Sequence, residues 1–187
     1  MNFVKATEVK PKTTFSFLIY GPTGIGKTTA ALSSPKPVAH VDFDGGITRV
    51  DACFTPSAMI AQIDKWEGYV AMVQTLSNVP AATVVIDTVG KELDMIQVFV
   101  LSQPKYADKK LTKPSLPAYG DIGVEFKGFN RGLKTSGKNV GYIAQEVETT
   151  VKNTRGEDIR YHQPACGSDK NKTEILQDLD LERYGMY

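Results

Sequence analysis

The stretch Gly21-Pro-Thr-Gly-Ile-Gly-Lys27-Thr28 constrains this chain more than any other, because it satisfies G-x-x-x-x-G-K-[ST] between a strand-like run and a helical one. Phe15 to Tyr20 is apolar and of strand length, and the residues after Lys27 read as a helix to about Ser33. Glycines at this spacing let successive N–H groups turn inward at backbone angles closed to most side chains. The expected result is a phosphate cradle made of Gly21, Thr23, Gly24, Ile25, Gly26, Lys27, Thr28 and Thr29. Lys27 then supplies a point charge to the β/γ-phosphate oxygens, and the Thr28 hydroxyl completes a Mg²⁺ shell. The dinucleotide signature G-x-G-x-x-G is not matched.

Composition fits one ordinary domain. Of 187 residues, 41% are hydrophobic and 23% charged, enough for a sizeable core and unlike a disordered, collagenous or coiled-coil chain. No apolar run approaches the roughly 20 residues of a membrane span. Met1 to Lys10 has no apolar stretch of the secretory kind. Cys53 and Cys166 lie far apart, which argues against a disulfide scaffold or a Cys-rich zinc site and for packing roles in a reducing, cytoplasmic setting. His40 and His162 have no metal-ligand company in the sequence and read as structural.

Strand-like runs alternate with helical patterns over most of the length, the signature of a three-layer α/β fold with a mainly parallel sheet. Further strands are expected at Val38–Phe43, Ala82–Ile86 and Val140–Ala144. Asp64 and Glu67 have the spacing of a capping box, opening a helix whose Trp66, Val70, Val73 and Leu76 share a face. A helix from Lys91 to about Leu101 follows, then a basic, proline-bearing loop from Ser102 to Pro117. Ile122, Phe126, Phe129 and Leu133 form the apolar stripe of another helix, ending near Gly137. Glu146 to Gln163 reads as a β-hairpin turning at Asn153–Gly156, and a last helix is expected over about Ser168 to Leu179.

Phosphate binding alone does not give hydrolysis, which also needs an acid for the metal, a base for water and a sensor of the γ-phosphate. Asp87, after a β-branched run, fits the metal-side aspartate. Thr88 rather than Glu follows it, so the base must come from elsewhere, and Asp44 at the end of the second strand is the candidate. An alternative for Asp44-Gly45-Gly46 is a simple turn. Gln145, ending its strand, can bond water or γ-phosphate, with a solvated strand end as the competing reading. Parallel strands deliver their C-terminal ends to one crevice, where Lys27, Asp44, Asp87 and Gln145 are expected to meet.

Strand-G-x-x-x-x-G-K-T-T, Asp42-x-Asp44, Val84-Val-Ile-Asp87-Thr88 and Tyr142-Ile-Ala-Gln145 together resemble the RecA/RadA class of P-loop ATPases. With Asp44-Gly-Gly46, Tyr119-Gly120, Arg155-Gly156 and the terminal Asp178-Leu-Asp180-x-x-x-Tyr184-Gly-Met-Tyr187, the chain is similar to the phage-type, single-domain RecA-like ATPases of the Sak annealing group. The resemblance spans nearly the whole chain, read as one domain over residues 1–187, and implies ATP and Mg²⁺ as cofactors. It further implies single-stranded DNA as a partner in phage annealing or recombination, and homo-oligomers with the ATP site near a subunit interface. A single-strand DNA-binding protein is a further implied partner. By the same match Asp44 stands where the class carries a catalytic Glu, and Gln145 where it couples γ-phosphate to a DNA loop. The family continues with a strand after Tyr-Gly-Met-Tyr, and the group's histidine near Gln145 is missing here.

The net charge of +1 conceals a gradient: −1 over residues 1–104, +5 over 105–172 and −3 over 173–187. The basic part follows Asp87, so Lys152, Arg155 and Arg160 are the candidate DNA contacts, with Tyr106 or Tyr161 for stacking. Eight acids are interspersed there, and a solvated charged face is the competing reading. Two other functions compete. A P-loop kinase needs an Arg-rich lid that the sequence lacks, and a nucleotide-gated adaptor or loader would have no DNA-stimulated hydrolysis.

Overall fold

The computed structural model describes residues 13–54, 58–107, 113–167, 175–177 and 179–184. Its strands are β1 (Ser16–Gly21), β2 (Val38–Asp42), β3 (Ala58–Gln62), β4 (Thr83–Asp87), β5 (Asn139–Lys152), β6 (Asp158–Pro164) and β7 (Leu181–Tyr184). Its helices are α1 (Lys27–Leu32), α2 (Trp66–Thr75), α3 (Val89–Ser102), α4 (Pro104–Ala107) and α5 (Leu116–Thr135). The strand order β3-β2-β4-β5-β1-β7 is parallel throughout, and β6 pairs antiparallel with the outer half of β5. The three-layer α/β architecture expected from the sequence is the one observed.

The alternation of side chains along β4 sorts the layers. Val84 and Ile86 join the larger core, with Tyr69, Ile96, Phe126 and Leu133, while Val85 packs with Phe17, Ala31 and Leu32 under α1. All five residues of β4 are buried, which suits a central parallel strand covered on both faces. The sheet is closely packed across β1 and β5, since a Cβ on Gly141 would lie 2.3 Å from the Phe17 ring. On the β1 edge, Ser16 N donates to Asp180 Oδ2 at 2.7 Å and Asp180 N to Ser16 O at 2.9 Å, tying β7 alongside β1.

Several elements differ from the sequence expectation. α2 begins at Trp66 with Lys65 as N-cap and no side-chain cap bond, so Asp64 and Glu67 form no capping box. The start is set by Trp66, whose ring stacks on Phe99 at 4.1 Å, and the residue buried most deeply on α2 is Tyr69, outside the predicted stripe. The α5 stripe is as expected, with Ile122, Phe126, Phe129 and Leu133 all buried. β3 and β7 were not anticipated as strands. β5 does not stop at Gln145 but continues unbroken as one arm of the hairpin. Cys166 is buried as expected, whereas Cys53 is exposed and packs nothing away. Residues 108–112 of the basic loop, 168–174 of the last helix and the closing 185–187 lie outside the described residues. Among the described residues no helix is long and apolar enough to cross a membrane.

Candidate functional site

Register brings the strand ends together: Gly21 stands beside Gln145 across β1 and β5, and Asp42 beside Asp87 across β2 and β4. Between β1 and α1 the chain needs left-handed backbone at Gly24 (φ +87°) and Gly26 (φ +84°). A Cβ on either would meet nothing within 4 Å, so backbone angle, not crowding, requires glycine at both positions.

Lys27 lies folded under this loop. Its Nζ donates to Gly21 O at 3.0 Å, Pro22 O at 2.7 Å and Gln145 Oε1 at 3.1 Å, so all three ammonium hydrogens have acceptors. Burial lowers its pKa from the ordinary lysine value, against the opposing pull of Asp87, Glu146 and Asp44. Thr23 Oγ1 donates to the same Gln145 oxygen at 3.3 Å. Gln145 thus touches both the lysine and the lip of the loop.

On the other wall, Thr28 Oγ1 donates to Asp87 Oδ2 at 2.7 Å, and His40 Nε2 lies 3.1 Å from that oxygen. The Asp87–Thr88 peptide is cis. Asp42 Oδ1 accepts from Gly46 N at 3.0 Å and Asp44 N at 3.3 Å, and its Oδ2 from Ile47 N at 3.3 Å, which shapes the loop after β2. Asp44 Oδ1 accepts from Gly46 N at 3.0 Å, so this residue does serve its turn. It also lines the cleft. A Cβ on Gly46 would lie 2.9 Å from Asp44 Oδ1 and would shift that carboxylate, whereas Asp87 Oδ2, at 3.8 Å, would be in ordinary contact.

The cleft so enclosed measures about 240 Å³ and is lined by Thr23, Gly24, Gly26, Lys27, Thr28 and Thr29 of the loop and α1 together with the strand-end residues Asp44, Asp87 and Gln145. A family model described as AAA domain matches residues 13–184. The chain belongs to the AAA domain family. No curated protein matches it in sequence. Among solved structures, this AAA domain is similar to a KaiC-like protein of the hyperthermophilic archaeon Pyrococcus horikoshii, at 15% identity and a TM-score of 0.44, over 81% of this chain and 78% of that one.

Of the residues singled out in the sequence of this AAA domain, Lys27, Thr28, Asp44, Asp87 and Gln145 converge on the cleft, with Thr23, Gly24, Gly26 and Thr29. Gly21 and Ile25 do not line it; Gly21 serves through its carbonyl on Lys27. Sequence reasoning took His40 as structural and left out Arg49. The signal for His40 was its parity with Asp42 on one strand, and that for Arg49, which lines the cleft, its place just after the Gly-Gly turn.

The hairpin has two unlike faces. Pairs Val147–Gln163, Thr149–Tyr161 and Val151–Ile159 alternate with Glu148–His162, Thr150–Arg160 and Lys152–Asp158. Arg160 Nη1 is 3.7 Å from Glu148 Oε1, and His162 Nδ1 is 3.2 Å from Glu146 Oε2, so the candidate DNA cations Lys152 and Arg160 share their face with carboxylates. Arg155 sits at the tip, where Asn153 Oδ1 accepts from Arg155 N and Glu157 N, both at 2.9 Å. Tyr106 is buried beside Asp121, which leaves Tyr161 as the exposed aromatic of the pair.

Proposed function

We propose that this AAA domain is a Mg²⁺-dependent ATPase acting on single-stranded DNA in phage recombination or annealing, as a cytoplasmic homo-oligomer. The observation that carries the reading is Gln145: its amide oxygen accepts from Lys27 and Thr23, and its strand runs without a break to Lys152 in the hairpin. An event at the phosphates is thereby joined to an exposed ribbon by one length of backbone.

The donor set fits Mg²⁺, a hard cation held by one or two protein oxygens together with substrate phosphates. Thr28 and Asp87 offer a hydroxyl and a carboxylate at the cleft, and no cluster of three or more His, Cys, Asp or Glu of metal-binding kind occurs among the described residues. Mg²⁺, held by Thr28 and Asp87, would supply neutralisation of phosphate charge. The loop N–H groups hold the phosphates, and Lys27 exchanges its bond to Gln145 for one to phosphate. Gln145, so released, bonds the γ-phosphate or the attacking water. Asp44 takes that water's proton, with a reach one methylene shorter than a glutamate, and Arg49 adds a second cation on the cleft wall.

The DNA part of the proposal is supported by the resemblance to annealing ATPases and by the +5 charge of residues 105–172. Lys152, Arg155 and Arg160 would meet phosphates, whereas Tyr161 lies on the ribbon face opposite Lys152 and Arg160 and is not grouped with them. A second reading, the adaptor or loader, is favoured by the opposite face of the hairpin, where Val147, Val151, Ile159 and Tyr161 are exposed as a protein partner would require. ATPase assays with and without single-stranded DNA separate the two. Stimulation by DNA is expected. Hydrolysis indifferent to DNA supports the adaptor, and absence of hydrolysis overturns the ATPase reading.

A further inference from the structure

We infer that His40 is a positioning residue for the metal-side carboxylate, fixing one oxygen of Asp87 so that the other is the acceptor presented to a metal–nucleotide complex. The inference rests on the phosphate-site reading above.

His40 occupies the middle of β2 and is fully buried, flanked in sequence by Ala39 and Val41. In register it stands beside Val85, and Asp42, two residues on, stands beside Asp87. Its Nε2 makes the 3.1 Å contact to Asp87 Oδ2, while Nδ1 is buried with no hydrogen-bond partner among the described residues. A buried strand position of this kind favours an apolar β-branched side chain, and an unpaired ring nitrogen is a cost that such a residue would avoid. The contact to Asp87 is what the imidazole adds over valine.

The chemistry of that contact is directional. A carboxylate oxygen only accepts, so in the neutral ring the hydrogen sits on Nε2 and Nδ1 carries the unused lone pair. Asp87 Oδ2 has two acceptor directions, and the Thr28 hydroxyl at 2.7 Å and His40 take them both. Oδ1 is left as the acceptor for a water of the metal shell. With Thr28 alone, whose hydroxyl must also serve the metal, the carboxylate is free to rotate when nucleotide arrives. Outer partners of this sort set the orientation of metal-side groups and are costly to remove.

The test uses the full chain with Mn²⁺ in place of Mg²⁺, titrated by electron paramagnetic resonance in the presence of a non-hydrolysable ATP analogue. Binding of a fluorescent form of the analogue without metal is measured in parallel. His40→Leu should weaken nucleotide-dependent Mn²⁺ binding by roughly 10-fold or more while metal-free nucleotide binding is unchanged. His40→Gln, whose amide nitrogen reaches the place of Nε2, should restore affinity to near wild type, and His40→Asn, which is too short, should not. The Gln/Asn pair keeps the test decisive if the leucine variant fails to fold. Wild-type Mn²⁺ affinity in His40→Leu or His40→Asn, or equal losses in Gln and Asn, would overturn the inference. Absence of nucleotide-dependent Mn²⁺ binding in the wild type overturns the phosphate-site reading and this inference with it, and is recognised before any variant is made.

Discussion

Asp87 and Glu92 are both buried, at 3% and 0% exposed, yet they serve opposite faces of the sheet. Asp87 ends β4 on the α1 side, where Thr28 and His40 converge on one of its oxygens. Glu92 lies in the first turn of α3, within the aromatic layer. There the Tyr69 hydroxyl donates to Oε1, and Oε2 has no partner among the described residues. Tyr69 itself is enclosed by Phe43 at 5.2 Å, Trp66 at 6.4 Å and Phe129 at 4.5 Å between ring centroids. Burial pushes the Glu92 carboxyl up to about 7, partly offset by the Tyr69 bond, and the same burial keeps the Tyr69 phenol well above its ordinary range and so a donor. One face surrounds its acid with donors at the mouth of a cleft; the other seals its acid among rings. The difference teaches that burial alone does not set a carboxylate apart as a cleft group, since donors and access do.

That contrast can be broken in order of expected effect. Lys27→Ala removes the ammonium from the cleft and should abolish ATP binding or turnover; a variant with normal ATPase activity would end the phosphate reading of the α1 face. Asp44→Asn should retain ATP binding but lower hydrolysis by at least ~10²-fold, as loss of a general base does. Turnover like the wild type would leave Asp44 with its bond to Gly46 and nothing more.

Glu92→Gln tests the other face. Because the folded-state value is raised above that of the unfolded chain, the protonated acid stabilises the fold fully below about pH 4.5, and this stability is lost as pH rises through about 7. The loss amounts to no more than roughly 3 to 4 kcal/mol at pH 8, from 1.36 kcal/mol per pKa unit over the rise from 4.5 to about 7. Denaturant melts at pH 5 and pH 8 should show this slope in wild type and its absence in Glu92→Gln, with ATPase activity at neutral pH little changed. The smallest effect is expected at the hairpin. Neutralising Lys152, Arg155 and Arg160 together should flatten the salt dependence of DNA binding, each lost phosphate contact lowering the slope by about 0.7 for a single strand. Because Glu148 lies 3.7 Å from Arg160, that residue should contribute least, and an unaltered slope would move the DNA contacts elsewhere.

The α1 face was largely legible in the sequence because its parts are local: a loop of fixed spacing, and acids or amides at the ends of apolar runs. Lys27, Thr28, Asp87 and Gln145 meet because parallel register aligns strand ends, which alternation and chain order foretell. What escaped depends on pairs distant in the chain. His40 and Asp87 are 47 residues apart, and Tyr69 and Glu92 are 23 apart, with no spacing rule to join them. β3 escaped because Ala58-Met-Ile-Ala-Gln62 is a half-exposed edge strand with a single β-branched residue, held by its pairing to β2. The end of β5 was misplaced because the change from buried to polar residues after Ala144 marks where the strand leaves the core, not where its hydrogen bonding stops.

That exit from the core gives β5 a mechanical character. Its first six residues are clamped between β4 and β1, and among the described residues its outer half pairs with β6 alone. On the proposed reading Gln145 would sit at the fulcrum of a lever, beside Lys27 and Thr23, the two groups that an arriving phosphate would disturb. At about 3.3 Å per residue the arm from Gln145 to Lys152 is roughly 23 Å long, so a tilt of roughly 5° at the base would sweep the tip by about 2 Å. A displacement too small to see in the cleft would be a change of partner at the hairpin.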